Sequence, residues 1–265
     1  YYGYGGGLYI SYASPTLEDL VVTENEVYDN SDSTYTSGGY TYYFQYAGYG
    51  GGLYNYGGSP TLTDVEISRN RGYLGAAIYS LYGSMTGSRL RLLENHAGYY
   101  TWYAYGNTVD FDNLEVNADT SDRGISGLYS EYSTIDLTNT CLVSTDYGVY
   151  AYGSTVTLRN SAIHGVTYGV YDPNPTISAW YLTYNNVYGN GYDYYSVTDP
   201  TGTDGNLQVD PGFNAYTDDS DAVGDDLSLT RRSAMTDAGN PDAAYDDTDG
   251  SVNDIGCFGG PGGSW

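Results

Sequence analysis

The sequence predicts an all-β protein, a single β-solenoid with an acidic, loop-rich C-terminal closing segment. Three observations predict this fold: a repeated triplet, paired strand-like runs, and Gly-rich or Pro-rich turns between the runs. The triplet is a small, an aliphatic and an aromatic residue, and after a first gap of 45 residues its aromatics follow at intervals of 25, 23, 27, 21 and 21. Such repeats are typical of solenoids, in which each unit packs only against its neighbours. The predicted aromatic column consists of Tyr9, Tyr54, Tyr79, Trp102, Tyr129, Tyr150 and Tyr171.

Each repeat holds two runs of alternating side chains. In the second repeat, residues 52–56 and 61–70 are separated by Gly-Gly-Ser-Pro, which predicts strand, turn, strand. A period of two directs alternate residues inward. The predicted inward columns are Leu20, Val65, Leu90 and Leu114; Val22, Ile67, Leu92 and Val116; and the triplet aliphatics Leu8, Leu53, Ile78, Leu128, Val149 and Val170.

Polar residues also recur in columns. Asn25, Asn70, Asn95 and Asp119 fall where each turn must bend, and an Asn there can bond to local backbone and to its equivalent one turn away. At outward positions the charges alternate, as expected for strands about 4.8 Å apart. We predict surface ladders rather than catalytic groups for these columns: Glu24, Arg69 and Glu94; Glu66, Arg91 and Glu115; Asp64 and Arg89; and Glu26, Arg71 and His96.

The charge balance limits the classes of binding partner that we expect. There are 33 acidic and 8 basic residues, a net charge of −25, and the basic residues are all Arg. This excludes nucleic acid and anionic membranes as expected partners and favours divalent cations. We expect no membrane insertion, because no apolar run reaches spanning length. The chain starts at Tyr1 inside a repeat, so we expect a processed mature chain or a fragment. Cys141 and Cys257 are either one disulfide or two free thiols.

We expect one domain. Residues 1–195 are predicted to form the β-helix repeats, with a Tyr-rich insertion at 28–50. Residues 196–265 are predicted to form an acidic extension and cap of the same domain. No lysine is present to serve as the base of a polysaccharide lyase, and His96 and His164 lie on separate turns without a nucleophile elbow. A glycoside hydrolase would need Asp110, Asp112 and Asp136 to converge. We therefore predict no enzymatic activity and no organic cofactor.

The segment GGLYNYGGSPTLTDVEISRN at 51–70 resembles the repeat of right-handed parallel β-helix proteins, including polymorphic outer-membrane-protein-like repeats of bacterial surfaces. Residues 233–263 resemble the closing segment of secreted bacterial members. The resemblance implies a single right-handed parallel β-helix in an extracellular or cell-surface setting. It implies little about activity, because the superfamily includes lyases, hydrolases, esterases, adhesins and structural proteins.

One segment of the tail has the composition of a cation-binding loop. Alternating oxygen ligands around a glycine suit a hard cation in a tight loop. The alternative is a solvated acidic turn. If a metal binds, we expect structural Ca²⁺ at Asp247, Asp249, Ser251 and Asp254.

Tyrosine is the most unusual component, at 36 of 265 residues. A second aromatic column is predicted at Tyr56, Tyr82, Tyr105, Tyr132 and Tyr152. Surfaces rich in Tyr, Ser and Gly are typical of adaptable protein contacts. A solenoid end without a cap exposes unpaired strand edges, and head-to-tail contact there would generate a filament. The predicted self-association residues are Tyr1, Tyr2, Tyr35, Tyr40, Tyr42, Tyr43, Tyr46, Tyr194 and Tyr195.

Three hypotheses for function follow. The first is an extracellular structural or adhesive protein that self-associates through Tyr-rich loops and open solenoid ends, as a filament subunit. The alternative is carbohydrate binding or polysaccharide processing, with exposed aromatics stacked on sugar rings. The third is redox chemistry or dityrosine cross-linking within closely spaced Tyr columns.

Overall fold

The structure, a computed structural model, describes residues 3–27, 33–37, 40–44, 48–117, 120–121, 127–217, 219, 221–222 and 224–264; for 33–37, 40–44 and 120–121 only the backbone is considered. It is nearly all β, and parallel sheets form a β-solenoid of about six turns, which confirms the predicted fold class. Within the described ranges, no helix has the length and apolar character needed to span a membrane.

The strands are short, and they fall into a repeating order along the chain. In chain order they are β1 (Gly3–Tyr4), β2 (Leu8–Ser11), β3 (Thr16–Thr23), β4 (Ser33–Ser37), β5 (Tyr40–Phe44), β6 (Gly48–Tyr49), β7 (Leu53–Tyr56), β8 (Thr61–Ser68), β9 (Arg71–Leu74), β10 (Ile78–Leu81), β11 (Ser84–Leu93), β12 (His96–Tyr99), β13 (Trp102–Tyr105), β14 (Thr108–Asn117), β15 (Thr120–Ser121), β16 (Leu128–Glu131), β17 (Thr134–Val143), β18 (Tyr147–Tyr152), β19 (Thr155–Arg159), β20 (Ala162–His164), β21 (Tyr168–Tyr171), β22 (Ala179–Thr183), β23 (Asn186–Tyr188), β24 (Tyr192–Tyr195), β25 (Phe213–Ala215) and β26 (Asp226–Leu229). One 3₁₀ turn follows at Ala243–Tyr245.

Three parallel sheets form the walls. The first has the order β1-β6-β9-β12-β15, and the second has the order β2-β7-β10-β13-β16-β18-β21-β24. The third runs β22-β19-β17-β14-β11-β8-β3, with β20 and β23 continuing beside β17. Two antiparallel hairpins lie outside these sheets. One, β4–β5, falls within the predicted Tyr-rich insertion, and the other, β25–β26, belongs to the tail.

Single residues in the left-handed conformation make the bends of each turn. The long strands of the third sheet bend at equivalent positions, with φ from 49° to 55°: Asp19, Asp64, Arg89, Asn113 and Asn139. A second bend follows at Glu24, Arg69 and Glu94, with φ of 58°, 51° and 51°. Non-glycine residues adopt this conformation rarely, and Asn and Asp most readily. Parallel strands of the neighbouring turns flank each bend, on both sides in the inner turns and on one side in the first turn.

The predicted inward columns are confirmed by the strand register. Leu20 pairs with Val65, Val65 with Leu90 and Leu90 with Leu114, and the column two residues later behaves in the same way. The triplet aliphatics also stack from turn to turn, and nearly all of these side chains are fully buried. One contiguous apolar core therefore runs along the axis of the solenoid.

The prediction for Trp102 is wrong. Trp102 is in register with Ile78 and Leu128, so it takes the inward aliphatic position, and Tyr103 takes the aromatic one. The indole is buried against Phe111 with ring centroids 5.5 Å apart, and its Nε1–H donates to Ser80 Oγ at 3.3 Å. Gly87 makes room for this pair, since a Cβ there would lie 2.8 Å from Phe111 Cε1.

The predicted asparagine ladder is confirmed over three turns. Asn70 Oδ1 accepts from the backbone N–H and the side-chain amide of Asn25, both at 3.0 Å. Asn95 Oδ1 accepts the same two bonds from Asn70, at 3.1 and 3.2 Å. Asp119 lies outside the described residues. A second asparagine ladder, not predicted, joins Asn185 to Asn206.

The alternating charge columns are confirmed as well. Arg69 lies between Glu24 and Glu94, and Arg91 lies between Glu66 and Glu115. The closest contact is bidentate, with Arg89 Nη2 2.6 Å from Asp64 Oδ2. Arg71 pairs with Glu26 at 3.9 Å, and His96 is next in the same register. The solvent-exposed pairs each contribute up to about 1 kcal/mol. The Arg91–Glu115 pair differs from them, because the Glu115 side chain is only 4% exposed.

The tail runs back along the outside of the third sheet. A disulfide joins Cys141 to Cys257 with their Cα atoms 5.1 Å apart, which decides between the two states that the sequence left open. Around it lies a second apolar cluster: Cys141, Val143, Ala162, Leu227, Met235, Ile255 and Cys257. At the bends of the third sheet, Asn113 and Asn139 donate to carbonyls of residues 254–259.

Candidate functional site: the tyrosine ladder and the solenoid ends

Eight tyrosines form one continuous stack on the second sheet, which we call the tyrosine ladder. Successive ring centroids are 4.7 to 5.6 Å apart. The strand spacing of about 4.8 Å sets this distance, and stacked aromatic pairs contribute about 0.5–1.5 kcal/mol each beyond their buried area. The members are Tyr9, Tyr54, Tyr79, Tyr103, Tyr129, Tyr150, Tyr171 and Tyr195.

Further tyrosines flank the ladder and cover part of it. Tyr147, Tyr168 and Tyr192 stack on one another at 5.1 and 5.2 Å and meet the ladder rings edge-on. Near the middle, Tyr100 stacks on Tyr129 with centroids 4.2 Å apart. The inner rings are therefore largely covered, whereas Tyr9 and Tyr195 at the two ends are 59% and 40% exposed.

One carboxylate contacts the middle of the ladder. Glu131 Oε2 accepts hydrogen bonds from the hydroxyls of Tyr103 and Tyr129, each at 3.2 Å. Burial, followed by the charge of Glu131, raises the pKa of both phenols well above the usual value. Burial also raises the pKa of Tyr54 and Tyr150 to about 12. The phenols of the inner ladder therefore stay protonated at neutral pH.

A second row of rings lies at the corner that follows the second sheet. Six tyrosines contact one another edge-to-face from turn to turn, with centroids 5.3 to 6.0 Å apart: Tyr12, Tyr56, Tyr82, Tyr105, Tyr132 and Tyr152. Five of them form the predicted second column. Tyr12, which begins the row, was not predicted from the sequence.

Tyrosine and glycine alternate in the left-handed bend of this corner. Tyr12, Tyr82 and Tyr132 have φ of 49°, 54° and 48°, and the turns between and after them place Gly57, Gly106 and Gly153 at the same bend, with φ of 60° to 62°. Each Tyr ring lies over the glycine of the next turn. A Cβ on Gly57 would come within 2.6 Å of Tyr12 Cε1, and one on Gly153 within 2.7 Å of Tyr132 Cδ1.

Exposed apolar side chains concentrate at the two ends of the solenoid. Ten large apolar side chains of the described residues are exposed. Eight of them lie in the first turn and the last two turns: Tyr4, Tyr9, Tyr12 and Val21, and Ile177, Tyr181, Tyr192 and Tyr195. The other two, Tyr82 and Tyr132, lie on the corner row between the ends. Strands β1, β2 and β3 at one end, and β22 and β24 at the other, each have a parallel neighbour on one side only.

No protein-family model, curated protein or solved structure matches this chain.

The last turn also borders a cleft. Residues 196–204 lie beside β22 and leave a cleft of about 620 Å³ lined by Trp180, Tyr181, Leu182, Val197 and Asp199, among others. The Trp180 indole donates to Asp172 at 3.0 Å. The end of the solenoid is therefore only partly covered by the chain that follows it.

The predicted self-association residues lie in several different parts of the protein. Tyr195 is the last ring of the ladder, whereas Tyr194 pairs with Val170 and packs against the core. Tyr35, Tyr40, Tyr42 and Tyr43 belong to the β4–β5 hairpin, where Tyr35 is directly opposite Tyr42. Tyr1, Tyr2 and Tyr46 lie outside the described residues.

The carboxylates of the predicted cation loop accept hydrogen bonds from the protein itself. Asp247 accepts from the backbone N–H groups of Asp254 and Gly260, at 3.1 and 2.5 Å. Asp249 accepts from Ser251, and Asp254 from the N–H of Asp237. In the part of the chain that the structure describes, no group of three or more His, Cys, Asp or Glu is arranged to hold a metal ion. In this structure these residues form a hydrogen-bonded turn.

The three carboxylates that a glycoside hydrolase would need, Asp110, Asp112 and Asp136, lie on adjacent strands of the third sheet. Asp110 pairs with Asp136, and Arg159 donates to Asp136 Oδ1 at 3.0 Å. Burial and the neighbouring Asp136 raise the pKa of Asp110. The guanidinium compensates part of this charge, which is a structural role for Arg159.

Two rings of the ladder, Tyr103 and Tyr195, and the carboxylate that contacts it, Glu131, were not predicted from the sequence. A signal for the ring register was present, because treating Trp102 as the apolar member of its triplet makes Tyr103 the aromatic. Glu131 also had a signal. Its equivalents one turn away on either side are Tyr105 and Tyr152, so a carboxylate among them is an exception.

Proposed function

We propose that this protein is an extracellular structural or adhesive subunit that self-associates end to end. The observation that carries the proposal is the exposure of Tyr181, Tyr192 and Tyr195 on the edge strands of the last two turns, although a long segment follows them. Exposed aromatic side chains on unpaired parallel strands form a surface that another strand can extend.

The partner that we propose for this surface is the first turn of a second copy. That turn presents Tyr9 at the ladder position of Tyr195, and it presents strand β2 in line with β24 of the second sheet. Stacking in this way would continue the second sheet and the tyrosine ladder. Because the two contacting faces are different, the contact is heterologous and repeats into a filament.

The negative charge of the chain determines how end-to-end association should depend on salt. The chain carries −25, and both end surfaces include exposed acidic residues, Glu18 and Asp19 in the first turn and Asp199 and Asp204 beside the last. Like charges repel across such a contact, and salt screens them, with a Debye length of about 10 Å at 0.1 M. Association is therefore expected to increase with ionic strength and with divalent cations.

The extracellular setting is supported by the disulfide between Cys141 and Cys257. Disulfides persist in oxidising compartments and are rare in the cytosol. A carbohydrate partner is the second candidate, favoured by the exposed rings of Tyr82 and Tyr132 on the flank. Sugar would contact this corner row rather than the inner ladder, where the ring faces are already stacked on each other.

Sedimentation velocity and electron microscopy of the full chain at low and high salt test the proposal. Wild-type protein is expected to form rods many times the length of one chain at high salt, and the Tyr181→Glu/Tyr195→Glu variant is expected to stay monomeric. Tyr132→Glu is the matched control, because it adds a charge at an exposed flank tyrosine. A wild-type protein that stays monomeric throughout, or equal assembly of both variants, would overturn the proposal.

A further inference from the structure

Loss of one electron from a phenol is linked to loss of its proton. A tyrosine with a base at hydrogen-bond distance is therefore easier to oxidise than one without. Among the described hydrogen bonds of the ladder, those from Tyr103 and Tyr129 to Glu131 are the ones made to a carboxylate. The middle of the ladder therefore has a proton acceptor of its own.

The ladder also connects this acceptor to both ends of the molecule. From Tyr103 or Tyr129, the exposed ring at either end of the ladder is reached through at most four ring contacts. No two successive ring centroids along this path are more than 5.6 Å apart. Contacts at this distance allow an electron to move from ring to ring. The exposed rings of Tyr9 and Tyr195 are accessible to a reagent in solution.

We propose that the tyrosine ladder is a path for one-electron oxidation and that the tyrosyl radical comes to rest on Tyr103 or Tyr129, with its proton held by Glu131. The reactant is a soluble one-electron oxidant. It takes an electron from an exposed end ring, and electrons then move outward along the ladder to refill each ring. At the centre the phenol O–H bond breaks. The proton goes to the Glu131 carboxylate, the electron goes to the oxidant, and the products are a neutral phenoxyl radical, a carboxylic acid and the reduced oxidant.

The electrostatics of the inner ladder agree with this end point. The pKa of Tyr103 and of Tyr129 is raised by burial and by the charge of Glu131. Both phenols are thus protonated at neutral pH, so an oxidised ring there must release a proton. The inference is independent of end-to-end association, because the ladder and Glu131 belong to one chain.

The test uses a ruthenium(III) tris(bipyridine) complex generated by light, with persulfate as the terminal electron acceptor. The full chain is oxidised at a dilution that keeps it monomeric and frozen for electron paramagnetic resonance. We expect a long-lived tyrosyl radical in the wild type and its loss in the Tyr103→Phe/Tyr129→Phe variant. In Glu131→Gln, which keeps an acceptor oxygen but removes the charge, the radical yield should fall about tenfold or more.

Two controls separate these effects from general damage. Tyr56→Phe removes a phenol outside the ladder, and Glu18→Gln removes an exposed carboxylate; both should leave the signal unchanged. Circular dichroism and melting temperature establish that each variant is folded. An unchanged radical yield and lifetime in Glu131→Gln would overturn the assignment of the proton acceptor.

The path has its own test. Tyr79→Phe/Tyr147→Phe/Tyr150→Phe interrupts the contacts between the central pair and both ends, while Tyr103, Tyr129 and Glu131 remain. The yield of the central radical is expected to fall, and oxidation products at the end rings are expected to rise. A yield equal to that of the wild type would mean that the oxidant reaches the centre directly, and would overturn the path.

Discussion

The side-chain amides of Asn139 and Asn253 form a reciprocal pair, each donating to the other at 3.0 and 3.1 Å. Asn139 makes a bend of the third sheet, and Asn253 belongs to the tail. The pair is fully or almost fully buried. The tail is therefore attached to the solenoid by the same amide chemistry that joins successive turns.

Replacing Asn253 with Ala should loosen the tail, because it leaves a buried carbonyl oxygen of Asn139 without its donor. We expect a loss of about 1–3 kcal/mol in the free energy of unfolding. A double-mutant cycle with Asn139→Ala, measured by urea unfolding, isolates the pair. Asn214→Ala, in the exposed β25–β26 hairpin, is the control; additive losses for the Asn139 and Asn253 changes would contradict the coupling.

Gly153→Ala should destabilise the corner for two reasons. The bend has φ of 61°, and the new Cβ would lie 2.7 Å from Tyr132 Cδ1. The left-handed conformation costs about 1–2 kcal/mol, and displacing the ring loses about 1 kcal/mol more. Gly202→Ala is matched for backbone, with φ of 81° and open space around it, so it should lose only the first part. Equal losses in thermal unfolding would show that the ring above Gly153 contributes nothing.

Alkaline titration should divide the tyrosines into two classes. The pKa of Tyr54 and of Tyr150 is about 12 in the folded protein, against 10.0 for an unperturbed phenol. A raised pKa means that the folded state holds its protons longer, so the stability from these phenols is complete below pH 10 and is lost as the pH rises through about 12. Absorbance near 295 nm should rise first for exposed rings and again together with unfolding. A single transition at the ordinary value would contradict the burial of the ladder.

Asp247 should make the tail less stable as the pH rises. Burial raises its pKa to about 6, above the reference value of 3.8. The folded state therefore binds more protons, and this contribution is complete below about 3.8 and is lost as the pH rises through about 6. In Asp247→Asn the melting temperature should depend less on pH over this interval. A wild-type curve that rises over the same interval, with Asp247→Asn flat, would contradict the sign.

Structural Ca²⁺ at Asp247, Asp249, Ser251 and Asp254 stays a prediction. A ligand that binds only the folded state raises the melting temperature, and a chelator removes that increment. Asp249→Asn should produce the same decrease, and the decrease should not add to that of the chelator. A melting temperature unaffected by both changes would remove the metal and leave the hydrogen-bonded turn.

The sequence was sufficient to predict the solenoid, its inward columns and its charge ladders. Those features depend on a period of two and on contacts between equivalent positions. The apolar side chain of Leu90 and the charged side chain of Arg91 therefore already indicate which position faces inward and which faces outward. Trp102 was placed wrongly because an aromatic at an aliphatic position fits only where Gly87 leaves space one turn away. Glu131 was missed because its role depends on which phenols the fold brings to it. The disulfide depended on a contact across 116 residues, which no local pattern encodes.

Successive turns of the solenoid alternate between two kinds at the corner row, one with Tyr at the bend and one with Gly. A turn whose bend is Tyr82 differs from the turn whose bend is Gly106, and only turns two steps apart are equivalent. If the turn that contains Gly106 were removed, the rings of Tyr82 and Tyr132 would occupy the bends of adjacent turns and would clash. If the turn that contains Tyr82 were removed, Gly57 and Gly106 would be adjacent, and Gly106 would have no ring over it. From Tyr12 to Gly153 the unit that repeats at this corner is therefore a pair of turns, twice the period that the sequence displays.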